Sequence, residues 1–235
     1  MSYQAVVVTG CVVLTACGSD GSRHIEDAPH AIDSVVSDAL PADASESVTF
    51  TNGFETTLPP EVAPGTGTLT PSEGYAPLGP AGNQFGATFL RSPTGNTVTL
   101  TVNLPAHSSI SLAFLFAAID SLDGTGTFPA GDYLRIDLDG APIFRESFAN
   151  ATPDEIQSYV PPAGVELARH VDLGFGGPGG FYTDSAYDMG ADPQFHNIPH
   201  TAPTATIAFT LEGEGVQTLD DESWAIDNLK LISNP

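Results

Sequence analysis

Four acidic side chains lie close together near the C-terminus of this chain, around its only tryptophan. Asp220, Asp221 and Glu222 are consecutive, and Asp227 follows Trp224 by three positions. The chain has 29 Asp and Glu residues against six Lys and Arg, so basic side chains are scarce partners for these carboxylates. A hard cation held by oxygen ligands is the partner that the composition favours.

The apolar residues that follow these acids alternate as they would in a β-strand. Trp224 and Ile226 share one face, while Leu229 and Leu231 share the other. The alternation slips between the two pairs, which predicts a β-bulge at Asp227-Asn228. The bulge turns the acid side chain toward the protein, where a cation would neutralise it. The alternative is that the Asp-Asn pair caps backbone groups at a turn.

The motif Asp221-Glu222-Ser223-Trp224-Ala225-Ile226-Asp227-Asn228-Leu229 resembles the closing strand of a group of secreted bacterial jelly-roll domains. These domains are similar to lectin-like and MAM-like sandwiches and usually end in D-E-S-W-G-I-D-N-V. They also usually contain I-D-S-W-D-G after a central strand and G-D-x-F at the start of the next one. Asp123, Gly124 and Asp132 match these two motifs, whereas Leu122 stands where the tryptophan is usual.

The resemblance implies a structural calcium ion, and the acids near these motifs are its candidate ligands. Calcium is bound by six to eight oxygens at about 2.3–2.6 Å, from carboxylates, carbonyls and water. The first and last strands of a jelly roll adjoin, which would bring Glu55 near Asp227. The predicted metal ligands are Glu55, Asp120, Asp123, Asp132 and Asp227. The alternative is that these are solvated acids on loops.

The composition favours a turn-rich all-β domain. The chain has 235 residues with 24 Gly, 20 Pro and 15% charged residues, and from Val48 onward short period-2 runs are bounded by turn residues. We predict an all-β, two-sheet antiparallel β-sandwich of the jelly-roll type over residues 48–235. Strands are predicted at 48–55, 84–90, 97–104, 109–118, 133–138, 142–148, 169–175, 204–211 and 224–232.

Turn signals and longer connections separate these strands. Asp139-Gly140 predicts a hairpin, because glycine accepts positive φ without steric cost. Residues 58–82 and 176–190 are predicted to be long loops, and residues 153–160 are the only short helix candidate from Val48 onward.

The N-terminus has the pattern of a signal peptide. Residues 5–16 form an apolar run that is too short to span a bilayer. The run ends in Leu14-Thr15-Ala16-Cys17, which resembles the lipobox of bacterial lipoproteins, whose cysteine carries lipid. We predict a lipoprotein signal peptide over residues 1–16 and an acidic flexible tether over 17–47. Lipid on Cys17 would place the domain at the outer membrane or cell surface. The alternative for the apolar run is a short buried helix.

A glycine-rich segment contains the candidate ligand-binding residues. It is predicted to be a loop over residues 176–188, and it carries Phe181, Tyr182, Asp184 and Tyr187. Aromatic faces beside polar groups suit sugars, whose C–H faces stack while their hydroxyls form hydrogen bonds. The alternative is that these aromatics fasten the loop to a sheet.

Charge argues against two classes of partner. The net charge of −23 and the pI near 4.1 do not suit nucleic acid or an anionic membrane surface, because phosphate binding depends on clustered Lys and Arg. Membrane contact is therefore predicted only through the lipid.

Enzyme signatures are missing from the sequence. Asp137 and Asp139 lack the flanking glutamates of a retaining glycosidase pattern. Pro199 separates His196 from His200, so these cannot form a helical zinc pair, and no G-x-S-x-G motif occurs. The sequence predicts a non-enzymatic binding or adhesion module for a glycan or a surface protein. The alternatives are a surface hydrolase acting on polysaccharide or lipid and a structural envelope protein.

We expect Cys17→Ala to release the protein from membranes, because the lipid chains on this cysteine would be the anchor. Cys11→Ala is the matched control, because Cys11 lies in the segment that would be removed. Fractionation and mass spectrometry of the mature N-terminus measure both effects. A mature chain that keeps residues upstream of an unmodified Cys17 would contradict the prediction.

Overall fold

The computed structural model describes residues 46–125, 131–151, 154–176, 183–213 and 218–235. The predicted signal peptide and nearly all of the predicted tether lie outside these ranges. The described residues form two antiparallel sheets that pack as a sandwich, so the predicted fold class is confirmed. The strands are β1 Ser47–Asn52, β2 Val62–Ala63, β3 Thr68–Pro71, β4 Thr88–Pro93, β5 Thr97–Asn103, β6 Ser109–Asp120, β7 Tyr133–Leu138, β8 Ala141–Ser147, β9 Glu166–Val171, β10 Asp184–Asp188, β11 Ile198–Pro199, β12 Thr204–Glu212 and β13 Glu222–Asn234.

Helical structure in the described ranges is limited to three 3-10 turns, at Glu73–Tyr75, Met189–Ala191 and Pro193–Phe195. None of these turns has the length and hydrophobicity that crossing a membrane requires. The predicted helix at 153–160 is not formed by residues 154–160, and residue 153 lies outside the described ranges.

The two sheets differ in size. The larger has the order β3-β4-β13-β6-β10-β9, with β1 also paired to β13 and β11 to β6. The smaller has the order β2-β5-β12-β7-β8. Asp139 and Gly140 have positive φ values of 51° and 80° between β7 and β8, so the predicted hairpin is confirmed.

The two longest strands, β6 and β13, form the centre of the larger sheet. Their pairing runs from Glu222 opposite Asp120 to Asn234 opposite Ser109, and the register shifts between Asp227 and Lys230. Asn228 has a φ of 48° at this shift, so the predicted bulge is confirmed. β1 pairs with β13, which confirms that the first and last strands adjoin.

Apolar side chains fill two layers, because the larger sheet is covered on both faces. The core between the sheets contains Trp224, Phe116 and Phe209. A second cluster on the outer face of the larger sheet includes Tyr75 and Phe89. Residues 72–86 supply part of this cover, so the predicted loop over 58–82 packs onto the sheet for part of its length.

Several strand predictions need correction. The strand predicted at 169–175 is β9, Glu166–Val171, and the predicted loop over 58–82 contains β2 and β3. Residues 184–188 were predicted to be loop but form β10, and all five are buried. Ala186 faces the outer cluster and Tyr187 the inner core, so the polar-apolar alternation that marks a strand is missing. The strand predicted at 84–90 begins only at Thr88, because Phe85 packs in the outer cluster.

We expect Trp224→Ala to lower the free energy of unfolding by about 3–5 kcal/mol, because this side chain fills the inter-sheet core. It is fully buried, and its Nε1 donates to the Pro93 carbonyl over 3.1 Å. Val48→Ala on β1, where Val48 is 60% exposed, should change stability by less than about 0.5 kcal/mol. Urea denaturation of both variants measures this. A loss below about 1 kcal/mol for Trp224→Ala would contradict the assignment of Trp224 to the core.

Candidate functional site

Two acidic side chains point between the sheets at one end of the sandwich. On β13, Glu222 lies on the same face as Trp224. Asp132, the residue before β7, lies on the same face as Leu134. Both apolar residues belong to the inter-sheet core, so strand alternation places the two carboxylates at its mouth. Asp123 joins them from the loop after β6, where its backbone N–H donates to Asp132 Oδ2 over 2.7 Å.

Asp123, Asp132 and Glu222, which we call the acid triad, have the spacing of a cation site. Each contributes a carboxylate oxygen, and these oxygens lie within 4.8 Å of one another. Two ligands on opposite sides of one calcium ion are about 5 Å apart, so the spacing fits a single ion. A Cβ at Gly213 would lie 2.7 Å from Asp132 Oδ1, so a larger residue at this position would displace the carboxylate.

The acid triad has no basic partner among the ion pairs of the described residues. Burial, together with the neighbouring Asp132 and Asp123, raises the pKa of Glu222 to about 8. Burial also raises the pKa of Asp132 to about 6, although backbone hydrogen bonds oppose this rise. The pKa of Asp123 is raised by burial and by Asp221. A divalent cation would offset this accumulated negative charge, so the residues fit the implied calcium.

Asp120 lies away from the acid triad, on the outer side of the larger sheet. Its φ of 66° breaks the alternation that would turn it toward the inter-sheet core. Its Oδ2 lies 3.4 Å from Arg91 Nη2, and the Arg91 guanidinium lies over the ring of Phe175. Burial raises the pKa of Asp120 to about 7, with Asp184 adding to the rise and Arg91 opposing it. The partner of this predicted metal ligand is therefore a guanidinium.

Glu55 and Asp227 are neighbours, as predicted, but backbone amides bind their carboxylates. Asp227 Oδ2 accepts from the Gly86 N–H over 2.8 Å, and its Oδ1 accepts from the Asn228 N–H over 2.7 Å. Glu55 Oε2 accepts from the Ala87 N–H over 3.1 Å. The structure thus matches the alternative in which the Asp-Asn pair caps backbone groups, and it separates both acids from the triad.

The predicted ligand-binding residues are divided between buried and undescribed positions. Phe181 and Tyr182 lie outside the described residues. Asp184 and Tyr187 are fully buried in β10, so the prediction that they contact a ligand from an exposed loop is wrong. Tyr187 packs on Phe148 with ring centroids 5.0 Å apart, and Asp184 accepts from the Leu173 N–H over 2.7 Å. Both side chains therefore belong to the folded interior.

Glu222 is the triad member that the sequence argument left out of the ligand set. A usable signal was present, because Glu222 has the same strand parity as Trp224 and therefore points inward with it.

The carboxylates considered for hydrolysis are engaged separately. Asp137 Oδ1 accepts from Arg135 Nε over 2.9 Å, and Asp139 Oδ1 accepts from the Thr206 N–H over 2.8 Å. Two surface cavities of about 200 Å³ contain no pair of carboxylates. One is lined by Thr66, Pro93, Gly95 and Asn96, and the other by Glu46, Ser111, His196, Asn197 and Ile232.

No protein-family model and no curated protein matches this chain. Among solved structures, it is similar to the K1 cleaved adhesin domain of Lys-gingipain from Porphyromonas gingivalis W83, with 14% identity, a TM-score of 0.42, and coverage of 80% of this chain and 100% of that one. A second is the catalytic unit of a GH87 α-1,3-glucanase from Streptomyces thermodiastaticus, with 12% identity, a TM-score of 0.30, and 82% and 26% coverage. A third is SGBP-B from a xyloglucan utilization locus of Bacteroides uniformis, with 14% identity, a TM-score of 0.27, and 72% and 45% coverage.

We expect stability in the presence of a chelator to fall as pH rises from about 4 to about 7, and Asp227→Asn to flatten part of this fall. Burial raises the pKa of Asp227 from 3.8 to about 7, so the folded state keeps this proton where the unfolded state releases it. The stability that this proton contributes is therefore complete below the unfolded-state pKa of 3.8, and it is lost as pH rises through the folded-state pKa of about 7.

Urea titrations across this pH range measure the effect. Glu61→Gln is the control, because it removes one carboxylate from an exposed position. Equal pH slopes for the wild type and Asp227→Asn would contradict the prediction.

Proposed function

We propose that this protein is a cell-surface binding or adhesion module in which a calcium ion organises the loop end, which is the end of the sandwich that carries the acid triad. The observation that carries the proposal is the acid triad at the mouth of the inter-sheet core. Its members come from the loop after β6, the residue before β7 and the first residue of β13, so one ion would tie three segments together. Bound calcium would supply two positive charges, with the remaining oxygens coming from water or backbone carbonyls.

The direction of the strands supports an arrangement in which the loop end faces away from the membrane. Ser47, where the described chain enters β1, is paired with Ser233, and Ser233 is paired with Ile110 at the start of β6. The acid triad follows the other end of β6, a strand of 12 residues that spans roughly 40 Å. With lipid on Cys17, the tether would therefore reach the sandwich at the end opposite the triad.

Exposed apolar side chains near the acid triad offer a contact surface. Ile156 is 66% exposed and lies in a segment bridged to Thr125, two residues after Asp123. Val160 is 84% exposed in the same segment. Apolar side chains beside acidic ones suit the C–H faces and hydroxyls of a sugar chain, so we propose a glycan as the ligand.

The low exposure of the acid triad favours an ion over a substrate. A raised pKa at Glu222 beside Asp132 resembles the acid pair of a glycosidase. However, Glu222 is 7% exposed and Asp132 is 4% exposed, which leaves little room for a polysaccharide to reach them. We therefore place the hydrolase second to the binding module.

We expect the melting temperature to rise in calcium and to fall in chelator. An ion that binds only the folded state stabilises it by about 2.7 kcal/mol when its free concentration is one hundred times Kd. Glu222→Gln should abolish the calcium response, because it removes a triad carboxylate. Asp227→Asn should keep the response, because backbone amides bind that residue. Identical wild-type melting curves in calcium and chelator would disprove a structural calcium ion.

A glycan array probed with and without calcium tests the ligand. We expect binding in calcium, loss of binding in chelator, and weaker binding by Ile156→Ser with an unchanged melting temperature. A calcium-dependent melting curve without binding to any glycan would overturn the ligand proposal and leave the ion. Turnover of a polysaccharide or ester by the purified protein would overturn the non-enzymatic reading.

A further inference from the structure

A hydrogen-bonded chain of side chains joins three loops at the end of the sandwich opposite the acid triad. His107 Nδ1 lies 2.6 Å from the Pro105 carbonyl oxygen, and His107 Nε2 lies 2.7 Å from His200 Nδ1. His200 Nε2 lies 3.0 Å from Asp139 Oδ2. The chain therefore links the β5–β6 loop, the segment between β11 and β12, and the β7–β8 hairpin.

The two imidazole rings meet edge to edge. Their planes differ by 15° and their centroids are 5.0 Å apart, whereas the facing nitrogens are 2.7 Å apart. The centroid distance exceeds the nitrogen distance by the sum of the two centroid-to-nitrogen distances within the rings. This is the case when both nitrogens lie on the line between the centroids. This nearly coplanar arrangement is the one that an N–H···N hydrogen bond requires.

Counting hydrogens along this chain gives one proton more than two neutral histidines carry. The Pro105 carbonyl only accepts, so His107 Nδ1 must carry a hydrogen. The Asp139 carboxylate also accepts, so His200 Nε2 must carry one. A single hydrogen lies between His107 Nε2 and His200 Nδ1. The three hydrogen bonds thus need three ring protons, and moving one of them to Asp139 leaves the total unchanged.

The surroundings suit an extra proton on these rings. The His200 side chain is 5% exposed, so a positive charge on it would need the carboxylate beside it. Asp139 cannot easily turn away, because its Oδ1 accepts from the Thr206 N–H and its own N–H donates to the Thr206 carbonyl, each over 2.8 Å.

The charged surroundings of the two rings are acidic. The group that faces them from the hairpin is Asp139. The ion pairs of the described residues bring no Lys or Arg to either ring.

We propose that His107, His200 and Asp139 form a pH-dependent latch that joins these three loops while they share one extra proton. Raising the pH removes the proton, and one of the three hydrogen bonds is lost. Lowering the pH adds another proton, and two N–H groups then face each other. The latch is therefore most closed at intermediate pH, where neither change has occurred.

Amide hydrogen exchange at His200 and Thr206 tests this proposal on the whole protein. The N–H of His200 donates to the Ser108 carbonyl, and that of Thr206 donates to Asp139. His107→Gln should speed exchange at both amides at least about tenfold relative to the wild type at pH near 6.5, the effect of losing a charged hydrogen bond. At pH near 9 the ratio should approach one, because the wild-type latch has then already opened.

His196→Gln is the matched control, because His196 bonds to the Gly190 carbonyl outside the latch. Its exchange rates at the His200 and Thr206 amides should equal those of the wild type at both pH values. Nitrogen-15 NMR of the wild-type imidazoles gives a second measurement that needs no variant. Three protonated ring nitrogens among the four of His107 and His200 at pH near 6.5 would support the latch. Two neutral rings at that pH, or an exchange ratio that is the same at both pH values, would overturn it.

Discussion

The antiparallel pairing of β6 with β13 is the constraint on which the rest of this structure depends. It fixes Glu222 opposite Asp120 at one end and Asn234 opposite Ser109 at the other. β1, β4, β10 and β11 all pair with one of these two strands. A slip of one residue would turn Trp224 out of the core and turn Glu222 away from Asp123 and Asp132. The same register therefore sets both the packing and the site.

Much of the sandwich could be predicted because alternation was visible along its strands. The bulge at Asp227-Asn228, the hairpin at Asp139-Gly140 and the contact between first and last strands followed from parity, turn chemistry and the expected architecture. β10 could not be recognised, because its five residues include two acids, Asp184 and Asp188, at buried positions and show no polar-apolar alternation. β6 is also covered on both faces, but its long apolar run predicted a strand. The layers that bury β10 come from distant parts of the chain.

The acids show why the candidate site was only partly predictable. The composition indicates that basic partners are scarce, and the structure shows a different partner for each of these carboxylates. Backbone amides bind Asp227, Arg91 lies beside Asp120, and Asp123 and Asp132 converge with Glu222. The composition shows that positive charge is scarce. Whether a carboxylate meets a backbone amide, a guanidinium or other acids that could share a cation depends on the direction in which the backbone turns its side chain. The left-handed φ of Asp120 illustrates this, since one dihedral angle moves its carboxylate to the other face of a sheet.

The entry of the chain at β1 has a mechanical consequence. β1 joins the middle of the larger sheet through β13, and it begins at the end opposite the acid triad. A pulling force between a ligand on the loop end and the segment before Ser47 would run parallel to the strands. Such a load shears all the hydrogen bonds between β1 and β13 together, whereas a perpendicular load would break them one at a time. Tension applied in this direction would therefore be resisted by the β1–β13 hydrogen bonds acting together.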